Sequence, residues 1–441
     1  MSLKKTDLHE YQKRAVDWLV SRERGFVWLG MGDGKTVIAA TAIAELRQPT
    51  ILVGTKRIVQ HTWPEELSKW DHLNKLTYAA AVGAKRKRET AVAENPDILG
   101  VSYENLQWLL TNGLARGRTL LVFDEISKMK SHSTRRFRAL SLAYRHAKTM
   151  PRVFGLTATP ALEGHGGLWS QWKSVGGDDR LGRNITEFRN LFTTPVYKGN
   201  FTDYVIPKGK AAQIEELLSP DIYTIADNER PYEQKALVED VAVPWGSTGA
   251  SNTYGRMEKD LIAELASGTF TAASKGVALN KCRQLAAGFI YDEERNVHVI
   301  DEDKFDAIAE AVEELQGEPC LVFYQFIPEK EELMRRIPSL RPLGDDEIAR
   351  DAQIILHPKS AGHGLNLQDK IRYAFFSSCP WSGEEYVQSI GRVDRQGQTR
   401  QPIVKRFVRS GTIDVDVIAA AEGKIDDEQE LLRRVVSRQQ P

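Results

Sequence analysis

The chain has 441 residues, with 60 Lys plus Arg against 60 Asp plus Glu, 41% hydrophobic residues and three cysteines. That length exceeds what one hydrophobic core usually supports, so two domains are expected, and the balanced charge excludes a uniformly basic surface. No long apolar span or secretory pattern occurs, and Cys282, Cys320 and Cys379 lack histidines at ligand spacing, which disfavours a membrane protein, a disulfide scaffold and a zinc site.

In chain order, Leu8, Tyr11, Ala15, Trp18 and Leu19 share one face of a predicted helix, and Phe26-Val-Trp-Leu29 reads as a buried strand. A glycine-rich turn follows, then a predicted helix from Thr36 to Leu46. Strand-like runs recur at 50–53, 97–101, 119–123 and 152–156, separated by helical patterns. Such alternation predicts a parallel sheet with helices on both faces. Beyond Gly176 the pattern loosens into helical stretches broken by Gly and Pro, and the boundary between lobes is expected near Ala226 to Glu239. A second strand series follows at 320–324, 352–356, 373–376 and 403–407. The charged stretch from Asp414 to Arg438 is helix-prone and reads as a bracing helix.

Gly30-Met-Gly32-Asp33-Gly34-Lys35-Thr36 joins a predicted strand to a predicted helix, the setting a phosphate loop requires. Glycines let the backbone wrap a polyanion whose oxygens meet N–H groups at the helix start. Lys35 is expected on the β and γ phosphates and Thr36 on Mg²⁺. Asp124-Glu125 ends the apolar run 120–123, where ligands bind in such sheets; Asp124 is expected to hold Mg²⁺ and Glu125 to polarise the attacking water. Thr157 and Thr159 end the next run and read as a relay from the γ-phosphate. Lys85-Arg-Lys-Arg88 and Arg135, Arg136 and Arg138 are local basic clusters of modest weight. For Trp63, Trp108, Trp169 and Trp381, core packing is the default reading.

This ordered set resembles helicase superfamily two, and within it the Swi/Snf type of DNA-translocating ATPase in a minimal bacterial or viral form. The resemblance implies an α/β fold of two RecA-like parallel-sheet lobes with helical insertions between their cores. The lobes are expected at 1–227, with a helical insertion after about 165, and 228–441, with an insertion at about 250–290. It implies adenine reading by Gln12. It also implies nucleic-acid contacts through Lys56, Tyr103, Gln325, Lys359, Ser360 and Trp381. Coupling is implied for Thr157, Thr159, Gly362, Gly364, Asn366 and Gln388, and the arginine segment supplies Arg392 and Arg395 to an ATP site begun by Lys35, Asp124 and Glu125. The chain departs from the family pattern at Leu29-Gly30, where an acidic pair is usual, at Ile126-Ser127, and at Pro358, where a hydroxyl is usual.

The implied activity is ATP and Mg²⁺ dependent hydrolysis, stimulated by duplex DNA and driving sequence-nonspecific translocation by a monomeric motor. A cytoplasmic, nucleoid-associated or viral setting is expected. An arginine finger contributes about 10³ to 10⁵ in rate, so hydrolysis is expected to be nearly off until the lobes close. Two alternatives stay open: a strand-separating DNA or RNA helicase, and a nucleotide-gated clamp or motor subunit of a nuclease complex.

Overall fold

The computed structural model describes residues 2–161, 164–198, 201–230, 236–267, 272–343, 352–361 and 367–424. The chain divides into two compact units, one holding described residues up to 230 apart from a hairpin tip at 198 and 201, the other holding those from 236 onward. Among the described residues no helix is long and apolar enough to cross a membrane.

The first unit is built on strands β1 (Arg24–Trp28), β2 (Thr50–Gly54), β3 (Tyr78–Ala81), β4 (Ile98–Ser102), β5 (Leu120–Asp124) and β6 (Arg152–Thr157). Strands β7 (Thr194–Lys198) and β8 (Phe201–Val205) form a separate two-stranded sheet, and β9 (Ile222–Tyr223) closes the main one. The order β3-β4-β2-β5-β6-β1-β9 is parallel throughout. Strands β2, β4 and β5 are buried along their whole length, as a sheet covered on both faces demands, and their sequences are accordingly continuous apolar runs rather than alternating ones. Two apolar clusters fill the two faces, one around Phe26, Phe123 and Trp172, the other around Leu19, Ile38 and Phe154.

Strand β3 is absent from the sequence reading because Tyr-Ala-Ala-Ala carries no β-branched residue; burial beside β4 overrides the helix propensity of alanine. After about residue 165 the first unit has helices Leu168–Ser174, Ile185–Phe192 and Lys208–Leu218 with the β7–β8 hairpin.

The second unit carries β10 (Leu237–Ala242), a hairpin of β11 (Phe289–Tyr291) and β12 (Val297–Val299), then β13 (Cys320–Phe323), β14 (Arg341–Pro342), β15 (Ile354–Leu356), β16 (Tyr373–Phe376) and β17 (Ile403–Val408). Its main sheet has the parallel order β10-β17-β16-β13-β15-β14. Helices Thr248–Ser267 and Ala272–Ala287 lie between β10 and β11. Residues 413–424 are helical, and buried ion pairs pin this end of the unit: Lys304 to Asp414 at 2.8 Å, and Arg409 to Asp301. Gly362, Gly364 and Asn366 lie outside the described residues. The two units are thus α/β with parallel sheets, as the alternation of the sequence predicts.

Candidate active site

Sheet order decides which loops meet. Because β6 lies between β1 and β5, the loops after these three adjacent strands converge at one carboxyl edge, with neighbouring strands about 4.8 Å apart. Those loops carry the phosphate loop, Thr157 with Thr159, and Asp124 with Glu125.

The phosphate loop leaves β1 and enters helix Lys35–Leu46 through Gly34, whose φ of 78° is left-handed. A Cβ there would collide with Gln12 Nε2, so both the dihedral and the neighbour require glycine. Lys35 Nζ donates to the carbonyls of Leu29 at 2.9 Å and Gly30 at 2.8 Å, which folds the lysine back across the mouth of its own loop. Gln12 is 5% exposed. Its Oε1 accepts from the His9 N–H and its Nε2 donates to the Asp33 carbonyl at 3.2 Å, so the side chain braces the loop from beneath. Tyr11 makes a parallel bond to the same carbonyl at 2.9 Å. Thr36 is half-buried at the first turn of the helix.

Asp124 ends β5 and is 8% exposed. Burial pushes its carboxyl up from the ordinary range, opposed by the Trp63 indole and by the Lys35 charge. Trp63 Nε1 donates to Asp124 Oδ2 at 2.7 Å. Glu125 adopts a left-handed φ of 70°, an uncommon conformation for a non-glycine residue that turns its carboxylate back over β6. Its Oε1 accepts from Thr157 Oγ1 and from Ser127 Oγ, the latter at 2.7 Å. Thr157 Oγ1 in turn accepts from the Thr159 N–H at 3.0 Å. Thr159 Oγ1 is buried without a hydrogen-bond partner among the described residues, an orphan that suits a ligand or water oxygen.

Tyr103, expected at a nucleic-acid surface, is instead 2% exposed. Its hydroxyl donates to the carbonyls of Asp124 at 3.1 Å and Glu125 at 2.8 Å, so it fixes the acidic turn from inside. The reason is topological: β4 ends one strand beyond β2, and its first loop residue points under the β5 loop. Lys56, by contrast, is exposed just past β2. Sequence reasoning assigns Trp63 to the core and misses its bond to Asp124; the two lie 61 residues apart.

In the second unit β16, β13 and β15 are neighbours, so Trp381, Gln325 and the pair Lys359 and Ser360 stand on the segments that leave one carboxyl edge. Lys359 and Ser360 are exposed and Trp381 is 42% exposed, so for this tryptophan the packing reading does not hold. Pro358 starts the short helix Pro358–Ala361, a first-turn position where the missing N–H has no intrahelical partner to lose. Glu329, overlooked in the sequence, is 0% exposed and ties two of these loops together. Its carboxylate accepts from the N–H groups of Gln325 and Phe326, each at 2.8 Å, and from the hydroxyls of Ser377 at 2.8 Å and Ser378 at 2.6 Å.

The arginine segment follows helix Gly383–Ile390, which ends at Gly391. Arg392 and Arg395, one helical turn apart in sequence, therefore lie in turns beyond the helix. Arg392 is 6% exposed and its Nε donates to the Gln388 carbonyl at 3.2 Å, while Arg395 is half-buried. The Asp394 carboxylate between them accepts from the Ala236 N–H at 2.9 Å, which anchors the segment to the start of β10.

Residues 5–162 match the family model described as "Type III restriction enzyme, res subunit". The chain is 31% identical over 451 residues to "Putative protein p41" of Acyrthosiphon pisum secondary endosymbiont phage 1, covering 94% of this chain and 95% of that protein. It is 27% identical over 119 residues to "DNA 3'-5' helicase XPB" of Kineococcus radiotolerans, covering 27% of this chain and 21% of the relative. Similarity to "Helicase swr-1" of Neurospora crassa is 24% over 249 residues, covering 53% of this chain and 13% of the relative. Among solved structures, the Sulfolobus solfataricus SWI2/SNF2 ATPase core in complex with dsDNA aligns over 97% of both chains at 21% identity and a TM-score of 0.44. The chain belongs to one family with the phage protein p41, which it matches over nearly its whole length, and its first unit carries the domain matched by the res-subunit model.

Proposed function

We propose that this enzyme couples ATP hydrolysis to movement along double-stranded DNA, without sequence preference, and displaces or remodels what is bound there. The observation that carries the reading is the convergence of a glycine cradle, Lys35, Asp124, Glu125 and Thr157 on three adjacent strand ends. Phosphoryl transfer asks a protein mainly for positioned charge. Lys35, released from the Leu29 and Gly30 carbonyls, meets the phosphates, and Gly30, Gly32 and Gly34 let the backbone approach them. Thr36 and Asp124 suit Mg²⁺, which favours one or two carboxylates together with phosphate and water oxygens and which neutralises phosphate charge when bound. Glu125 orients the attacking water, and Thr157 holds Glu125 in register. Arg392 and Arg395 add the positive charge that stabilises the transition state.

Lys56 in the first unit and Gln325, Lys359, Ser360 and Trp381 in the second are assigned to the nucleic-acid backbone, with Gln388, Thr157 and Thr159 linking it to the nucleotide. Backbone contacts carry no base information, so binding falls steeply with salt and is insensitive to sequence. Strand separation is a second reading, favoured by the match to a protein named as a DNA helicase. Service as the motor of a nuclease complex is favoured by the name of the matching family model.

The test is steady-state ATP turnover with matched duplex DNA, single-stranded DNA and RNA, followed by displacement of a triplex-forming strand from duplex. Strongest stimulation by duplex with triplex displacement supports translocation. Preference for single strands with release of a labelled complementary strand supports the helicase reading, and equal turnover with and without nucleic acid refutes the coupling altogether.

A further inference from the structure

A carboxylate inside an anion-binding loop is an electrostatic problem, and Asp33 poses it. The residue is 5% exposed, and its Oδ2 has no hydrogen-bond partner among the described residues. Nucleotide phosphates entering the loop would meet this negative charge at close range. The structure answers with a cation from the far end of the unit. Arg230 Nε lies 3.9 Å from Asp33 Oδ2, and a Cβ built on Gly30 would stand 2.9 Å from Asp33 Oδ2 and 3.4 Å from Arg230 Nη1. Arg230 thus covers Gly30 and faces Asp33 across it.

The delivery of Arg230 is itself built. Strand β9 pairs with β1, with Phe26 opposite Ile222 and Val27 opposite Tyr223. Tyr223 Oη donates to the Tyr11 carbonyl at 2.7 Å, and Glu229 forms an ion pair with Arg14. These contacts hold the segment against helix Glu10–Ser21 and aim its next residue at the loop.

We infer that Arg230 is a positioning residue for the ATP reaction, which neutralises and holds the Asp33 carboxylate and thereby sets the affinity of the phosphate loop for nucleotide. The inference rests on the ATP-hydrolysing reading of the site. It assigns Arg230 no contact with the reacting atoms, so its loss acts on binding and not on the chemical step. It also makes the effect conditional on Asp33, because an asparagine there needs no countercharge.

The experiment is a double-mutant cycle on the full chain with R230Q, D33N and the double variant, and R230K as a charge-conserving control. KM for ATP and kcat are measured at saturating duplex DNA, and a fluorescent ADP analogue is titrated without DNA. R230Q is expected to raise KM and weaken analogue binding on the order of tenfold, the effect of losing one countercharge near a polyanion, with kcat within about twofold. R230K is expected to recover most of the loss, and R230Q added to D33N is expected to change KM by less than about twofold. A KM for R230Q within twofold of wild type, or an undiminished effect in the D33N background, overturns the inference. Wild-type chain that binds the analogue normally separates that failure from failure of the ATP reading, whereas wild-type chain that binds none overturns both.

Discussion

Replacing Trp63 by phenylalanine isolates one hydrogen bond in the candidate site. The indole is 0% exposed and Nε1 donates to Asp124 Oδ2 at 2.7 Å. A buried hydrogen bond to a charged group contributes about 1.5 to 3 kcal/mol. Shrinking the bicyclic ring adds a packing loss of about 1 to 2 kcal/mol. The first unit of W63F is therefore expected to lose about 2.5 to 5 kcal/mol, read as the shift of its own urea transition, since two units need not unfold together. The same bond lowers the Asp124 pKa against the upward push of burial, so its removal raises that pKa further. The acid limb of the kcat/KM profile must then move to higher pH. In a D124N background the charge-assisted part disappears, and the cost of W63F falls by about 1 to 2 kcal/mol. A cost below about 1 kcal/mol with an unmoved acid limb would refute the assignment of Trp63 to the Asp124 carboxylate.

Three further substitutions test other parts of the framework. D124N removes activity yet stabilises the fold at neutral pH: the folded pKa of Asp124 is raised, so wild type carries a deficit that is full above that pKa and fades as pH falls toward the unfolded value. Chemical denaturation of both chains across this window checks the sign. G34A forces a Cβ onto Gln12 Nε2 at a φ of 78°; it is expected to cost about 1 to 2 kcal/mol from the dihedral alone and to weaken nucleotide binding at least about tenfold by displacing the brace under the Asp33 carbonyl, measured by nucleotide titration. E329A strands two N–H groups and two hydroxyls in the second unit and is expected to cost about 3 to 5 kcal/mol, whereas E329Q is milder because the Ser377 and Ser378 hydroxyls can rotate to accept from its amide; urea unfolding of the second unit separates the two.

The groups assigned to phosphate are legible in the chain because their chemistry restricts residue type locally. Gly30, Gly32 and Gly34 with Lys35 and Thr36 fall within seven consecutive positions, and Asp124 and Glu125 follow a continuous apolar run. The groups that hold them are not legible, because they arrive from other strands. Trp63 reaches Asp124, Tyr103 reaches the carbonyls of Asp124 and Glu125, and Thr157 reaches Glu125 only once the order β4-β2-β5-β6 is set. Tyr103 shows how this misleads: it stands where the resemblance implies a nucleic-acid contact, and only the inward register of the β4 loop reveals a core hydroxyl. The alanines of β3 mislead through propensity, and Gly391 ends a helix that the spacing of Arg392 and Arg395 extends.

A common rule links Glu125, Glu329 and Asp394. Glu125 and Glu329 are acids beside loops at the carboxyl edge of a parallel sheet and Asp394 is one beside the start of β10, and each accepts hydrogen bonds from a different segment of chain: Glu125 from Thr157, Glu329 from Gln325, Phe326 and two serines, Asp394 from Ala236. Loops at such an edge have no ladder to fix them, and a buried carboxylate with several acceptor sites can replace the ladder if all its donors converge. The arrangement stiffens each cluster of loops while leaving the outward groups, Lys56, Lys359, Ser360 and Trp381, exposed. Under the proposed translocating function this division matters: the groups assigned to phosphate and to the nucleic-acid backbone must keep their spacing within each unit. Loss of a single clasp should therefore reduce coupling between ATP turnover and triplex displacement before it reduces turnover itself, a split that a simple loss of folded protein cannot produce.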